Sequence, residues 1–266
     1  MSSVLFLFLA HLGLGIAGTL LLVGDSAGVK FFRFNAGLAG VLLLIALAFR
    51  PETPVGDGVA TVASWALVVA TAALLIYWAT VGRALARLRP LLLWTTTVGG
   101  VVALVTQGIA LSAVEMGPSP SLTVVSFLSS AALLGGACTA MILGHWYLVL
   151  PSMDVSLLQS IVKFHIWSTV LRVAVVVAVV WVALLTWETP SGAGYARYIW
   201  SVDGVFLWQR VLFGLFGPAV LAYLTWETAK IRSTQSATGI LYVDFFTVIV
   251  GEVLAKYLLL STRVPV

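Results

Sequence analysis

SATGILYVDFFTVIVGEVLAKYLLLSTRVPV, residues 236–266, decides how this chain is read. The run is apolar and long enough to cross a bilayer, yet it carries Asp244, Glu252 and Lys256 within it. Ionisable groups at that depth are costly in hydrocarbon and face a bundle interior or a polar cavity. This last span is therefore expected to point at the functional centre.

The rest of the chain has the same character. Of 266 residues, 61% are hydrophobic and only 9% charged, with a mean hydropathy of +1.10. That leaves too little polar surface to coat a soluble globule, so a single transmembrane domain over residues 1–266 is expected. A net charge of +4 does not imply nucleic acid, because the basic residues sit in short loops between apolar runs, where they set topology. The single cysteine, Cys138, excludes disulfides within the chain and Cys-based zinc or iron–sulfur ligation by this chain alone. The first apolar run lacks a basic leader and reads as a retained span.

Eight spans are expected, over residues 3–24, 32–49, 59–82, 91–115, 122–150, 156–187, 199–228 and 237–261. Each is long enough, at about 1.5 Å per residue, to cross roughly 30 Å of hydrocarbon. Breaker clusters separate them: residues 24–28, Arg50-Pro51, Gly117-Pro118-Ser119-Pro120, Pro151 and Pro190-Ser191-Gly192. Backbone groups in lipid must be satisfied within the segment, and the runs lack the alternation of a membrane barrel, so the fold class is all-α, a polytopic bundle of about eight helices. Lys30, Arg33, Arg83, Arg87, Arg89, Lys163, Lys230 and Arg232 fall on one side, against Arg50, Arg197 and Arg263 on the other. The positive-inside rule makes the richer side cytoplasmic and both termini outward, in a bacterial or archaeal inner membrane.

Counting depth from the span ends puts Arg172, Arg210 and Glu252 near mid-membrane, with His11 close by. A lone buried charge is expensive, so Glu252 is expected to pair with Arg210 or Arg172, leaving positive charge over for an anionic or strongly polar partner. Lys256 and Asp203, nearer the outside, are expected to pair. Asp244 and Glu252 stand two turns apart on one helix face and outline a proton path.

His145 and His165 lie at comparable depth in adjacent antiparallel spans. Two imidazoles facing each other are a ligand set for a b-type haem, and a quinone contact and plain packing are the other readings. A metal site from His145, His165 and Asp154 is a thinner idea, since Asp154 falls in a loop.

The Gly251-Glu252-Val253-Leu254-Ala255-Lys256-Tyr257 segment, eight helices and outward termini resemble the membrane-anchor subunits of DMSO-reductase-type and NrfD/PsrC-type respiratory enzymes. The likeness is topological over nearly the whole chain, with one short segment as its motif. It implies a subunit that holds an oxidoreductase module on the membrane and exchanges electrons between quinone and an iron–sulfur partner, commonly without haem of its own. Glu252 and Arg210 would then be quinone-pocket residues, with Arg172 beside them. The family assigns no role to His145 or His165.

Two rival readings rest on the same residues. Lys256, four residues after Glu252, imitates the retinal-binding lysine of microbial rhodopsins, and LLWTTTV at 92–98 resembles part of their third helix. Buried arginines also suit a small-anion or proton-coupled transporter, although no inverted repeat or broken-helix pair is visible.

Overall fold

The computed structural model describes residues 2–52, 57–83, 86–113, 119–150, 153–187, 192 and 194–266. The expected breakers Gly117, Pro118, Pro151, Pro190 and Ser191 lie outside the described residues.

The long helices are α1 (Ser2–Thr19), α2 (Val29–Ala48), α3 (Gly58–Thr80), α4 (Arg89–Ser112), α5 (Pro120–Val149) and α6 (Val155–Thr186). After them come the short α7 (Tyr195–Ile199), then α8 (Val205–Val211), a π-turn (Leu212–Phe216) and α9 (Gly217–Lys230) in continuous sequence, and finally α10 (Thr234–Thr262). Among the described residues seven stretches are long and apolar enough to cross a membrane, with Val205–Lys230 counted as one. The eighth long helix, α10, runs for 29 residues and is set apart from them by Asp244, Glu252 and Lys256. The chain is a multi-pass, all-helical membrane bundle.

Helix ends follow local chemistry. Asp57 and Asp154 cap α3 and α6, their carboxylates accepting from Ala60 N–H (3.0 Å) and Ser156 N–H (2.9 Å). Pro120 opens α5, where a missing N–H costs nothing. Within the helices, hydroxyls such as those of buried Thr71 and Thr96 donate back to the carbonyls of Leu67 and Leu92, so each is satisfied by its own helix.

Polarity is reversed relative to a soluble protein. Trp65, Trp94, Trp167, Trp181, Leu185 and Phe246 are exposed, while Arg172, Arg210, His165, Asp244 and Glu252 are 0% exposed. An apolar outside fits contact with lipid, and buried charges then have to find one another.

Helix α1 runs through the middle of the bundle, packed against α2, α4, α5 and α10. Its approach to α5 is backbone to backbone: a Cβ on Gly15 would stand 2.1 Å from the Ala131 carbonyl oxygen. Only glycine permits that contact. Helices α3 and α4 pack on each other at the periphery. Ser3 of α1 and Leu260 of α10 line one cleft of about 310 Å³, together with Arg50, Glu52 and Asp57. Ser3 and Leu260 are thus at the same end of the bundle.

The expected span 199–228 is the one that departs most from a plain helix. Its start is split between α7 and α8, and its middle is the π-turn, in which the Gly217 N–H reaches back five residues to the Leu212 carbonyl. Pro218 accounts for it: proline lacks an N–H, and its ring would strike the carbonyl four residues earlier in a regular helix.

Candidate functional site

The Glu252 carboxylate is the hub of a cluster assembled from α1, α5, α6, α8 and α10. Oε1 accepts from Arg172 Nε at 2.9 Å and from Arg210 Nη2 at 2.7 Å. Oε2 accepts from Arg172 Nη2 at 3.2 Å, Ser130 Oγ at 2.6 Å and Lys256 Nζ at 3.4 Å. Arg172 extends the network through Nη1 to Ser126 Oγ (2.8 Å) and through Nη2 to the Val266 carbonyl oxygen (3.1 Å). Lys256 also donates to Ser130 Oγ at 2.7 Å.

Proton bookkeeping fixes a tautomer. Ser130 has one O–H and gives it to Glu252, so the 3.1 Å contact between Ser130 Oγ and His11 Nδ1 needs the hydrogen on Nδ1. His11 Nε2 is then a bare acceptor, and it has no partner among the described residues.

Three cationic side chains meet one carboxylate in this cluster, all of them 0–2% exposed. Arg210 is the least satisfied of the three. Its Nη2 holds Glu252, but its Nε and Nη1 have no hydrogen-bond partner among the described residues. The guanidinium lodges where α10 meets the π-turn: a Cβ on Gly251 would come within 2.1 Å of Gly214 Cα and 2.9 Å of Arg210 Nη1. The π-turn and the two glycines together make the space that the guanidinium occupies, in line with the frequent placing of π-bulges at functional sites.

A second buried contact between an imidazole and a carboxyl group joins the same two helices, α6 and α10, toward their other end. His165 Nε2 stands 2.6 Å from Asp244 Oδ2, both side chains 0% exposed. The contact is close but not aligned as a hydrogen bond, and neither imidazole nitrogen nor either carboxylate oxygen has a hydrogen-bond partner among the described residues. The pairs His165–Asp244 and Arg172–Glu252 show that α6 and α10 run parallel and in register. The helices are joined through these side chains more than by backbone packing. Ser168, Thr169 and Thr247, all buried, lie along α6 and α10 between the two pairs.

The sequence-derived expectations sort accordingly. Arg172, Arg210 and Glu252 do converge, with both arginines on the one carboxylate. Lys256 joins them and does not reach Asp203, which lies exposed in the turn before α8; the expected Lys256–Asp203 pair is corrected on that ground. Asp244 and Glu252 share a face of α10 but belong to separate pairs. His145 and His165 are not a facing couple: His145 is exposed and its Nδ1 bonds Tyr242 at 2.9 Å, while buried His165 turns to Asp244. Asp154 is spent on capping α6, and no cluster of metal-ligating residues occurs among the described residues. Ser130 and Ser126 went unforeseen; the signal was SFLSS, residues 126–130, hydroxyls bunched in an otherwise apolar span.

No protein-family model and no curated protein matches the chain.

Proposed function

We propose that this chain is the integral membrane subunit of a respiratory or redox complex in a bacterial or archaeal inner membrane, exchanging electrons with quinone while an iron–sulfur partner carries the chemistry on the soluble substrate. The observation that carries this reading is Arg210, a fully buried guanidinium with two nitrogens unpartnered among the described residues, beside a cluster whose cationic side chains outnumber its one carboxylate side chain. A quinone is a lipid-soluble ring whose carbonyl oxygens gain negative charge as electrons arrive. Fixed N–H donors and surplus positive charge in a dry site favour that change far more than they would in water.

The roles divide among the residues. Glu252 orients Arg210 and Arg172 and neutralises part of their charge. Arg210 offers Nε or Nη1, which point to different sides of the guanidinium, to an oxygen of the ring. Lys256 and Ser130 keep the remaining carboxylate oxygen occupied, so that Glu252 cannot turn toward the ligand.

Haem b does not fit the histidines as they stand. His145 and His165 are engaged with different α10 side chains, Tyr242 and Asp244, and no electron step is routed through them. A retinal on Lys256 would have to displace the contacts that Nζ makes with Ser130 and Glu252. Transport of a small anion is the second reading, and the same excess of cations favours it.

Quinone-linked turnover of membranes carrying the complex tests the proposal. Arg210→Ala should lower turnover at least tenfold, equivalent to about 1.4 kcal/mol of lost stabilisation, while the subunit still assembles. Wild-type turnover in that variant would contradict it, and loss of anion uptake in proteoliposomes with quinone turnover intact would favour transport.

A further inference from the structure

The bundle buries two carboxylates on one helix, and their surroundings differ in kind. Glu252 is held by five contacts from two arginines, a lysine and a serine hydroxyl. Every one of those contacts is lost or weakened if the carboxylate takes a proton, and the cations would then be left uncompensated. Glu252 is a fixed anion. Asp244 faces only an imidazole, at 2.6 Å, and its carboxylate oxygens accept no hydrogen bond from any described residue. Among the described residues no donor is aligned to lock its charge.

We infer that the His165–Asp244 pair is the proton-binding site of the bundle, taking up and releasing one proton at a time, and that Glu252 is not part of the exchange. The site's ligand is the proton itself, delivered by water. Four buried polar atoms without aligned partners, Nδ1 and Nε2 of His165 and both oxygens of Asp244, are the kind of group that internal water satisfies. The step balances within the pair. A neutral imidazole with its hydrogen on Nε2 stands against the Asp244 carboxylate; a proton arriving at Nδ1 makes the imidazolium. Once the imidazolium turns to align Nε2–H with Oδ2, the Nε2–H bond breaks as an Oδ2–H bond forms, leaving a neutral imidazole protonated on Nδ1 and a neutral carboxyl. Release of the carboxyl proton restores the anion, and exchange of the ring hydrogen back to Nε2 restores the starting tautomer.

Neighbouring titratable groups do not take this role. On α9, Glu227 is paired with Lys230 at 2.7 Å and both are exposed. On α5, His145 is bound to Tyr242, Tyr147 donates to the Asp154 carbonyl, and Cys138 is a buried thiol. On α1, His11 is held by Ser130. On the pair's own helices, Lys163 lies over the Trp226 ring, and Arg172, Glu252 and Lys256 belong to the other cluster. From Asp244 to Glu252 is eight residues along α10, about 12 Å of rise, with the hydroxyls of Ser168, Thr169 and Thr247 between. The pair thus stands apart from the fixed ions on the same two helices. The inference does not depend on quinone being the ligand of the Glu252 cluster.

Infrared difference spectroscopy of the purified full chain, between acidic and alkaline buffer, reads the exchange directly. The expected result is a carbonyl-stretch band of a protonated buried carboxyl that shifts in D2O, is lost in Asp244→Asn and persists in Glu252→Gln. A band that survives Asp244→Asn, or no such band at all, would overturn the inference. Dicyclohexylcarbodiimide, which attacks protonated carboxyls in lipid, provides a readout on unmutated protein. Peptide mapping should find the adduct on Asp244, in decreasing yield as pH rises; an adduct on Glu252 instead would overturn the assignment independently of how any variant folds.

Discussion

Arg172 and Glu252, eighty residues apart in sequence, meet edge to edge: Nε to Oε1 at 2.9 Å and Nη2 to Oε2 at 3.2 Å. A planar guanidinium matches a carboxylate in this way and a lysine cannot. The two residues fix α6 against α10, and the cluster around them draws polar contacts from five helices.

Removing one partner of such a pair leaves the other as an uncompensated buried charge. Arg172→Ala should cost about 3–5 kcal/mol of stability, and Arg172→Lys should recover only part of it, because the contacts to Ser126 and Val266 also need the guanidinium fork. In a cycle with Glu252→Ala, the double variant should be more stable than the sum of the single losses predicts. Thermal unfolding in detergent measures all four proteins; strict additivity would show that the pair is not coupled.

The contact between Gly214 and Gly251 sets how α10 meets the π-turn. Gly251→Ala would put a methyl 2.1 Å from Gly214 Cα, forcing the helices apart at an expected cost of about 1–3 kcal/mol or more, and it would push Arg210 off Glu252. Gly239→Ala, on the same helix with nothing within 4 Å of the added carbon, should be tolerated and even stabilise by up to about 1 kcal/mol through helix propensity. Equal unfolding temperatures for the two variants would contradict the packing described.

Much of this arrangement was legible in the sequence, because charges in lipid have few places to go. Arg172, Arg210 and Glu252 could be placed at one level by counting along helices of known rise, and the long apolar helices followed from run length. Direction around the helix axis was harder to read. Lys256 and Asp203 share a level, yet Lys256 turns inward to Ser130 and Glu252 while Asp203 lies in the turn before α8. The same applies to His145 and His165: depth made them neighbours, but rotation sends one to Tyr242 and the other to Asp244. The π-turn was marked only by Gly217-Pro218, a dipeptide that in water reads as a break and here widens one turn.

Outside the lipid-crossing segments, Asp154 gives a pH dependence with a definite sign. Its carboxylate is held below the ordinary range by the backbone N–H of Ser156, then by that residue's hydroxyl. A folded-state value below the unfolded one means that the cap stabilises above the unfolded value and is lost as pH falls through the folded one. Asp154→Asn should therefore flatten the acid limb of the stability curve while changing it little at neutral pH. An unchanged acid limb, followed by circular dichroism, would remove Asp154 from the account.

The central claim is that the cation-rich centre around Arg210 and Glu252 holds a lipid-soluble carrier, and photolabelling tests it most directly. A photoreactive azidoquinone, illuminated with the purified chain in liposomes, should attach to peptides of α8, the π-turn and α10 around Arg210, Gly214 and Glu252. Labelling there should be displaced by unlabelled quinone and lost in Arg210→Ala. Attachment confined to the exposed apolar faces, undiminished by competitor and unchanged in that variant, would contradict the claim.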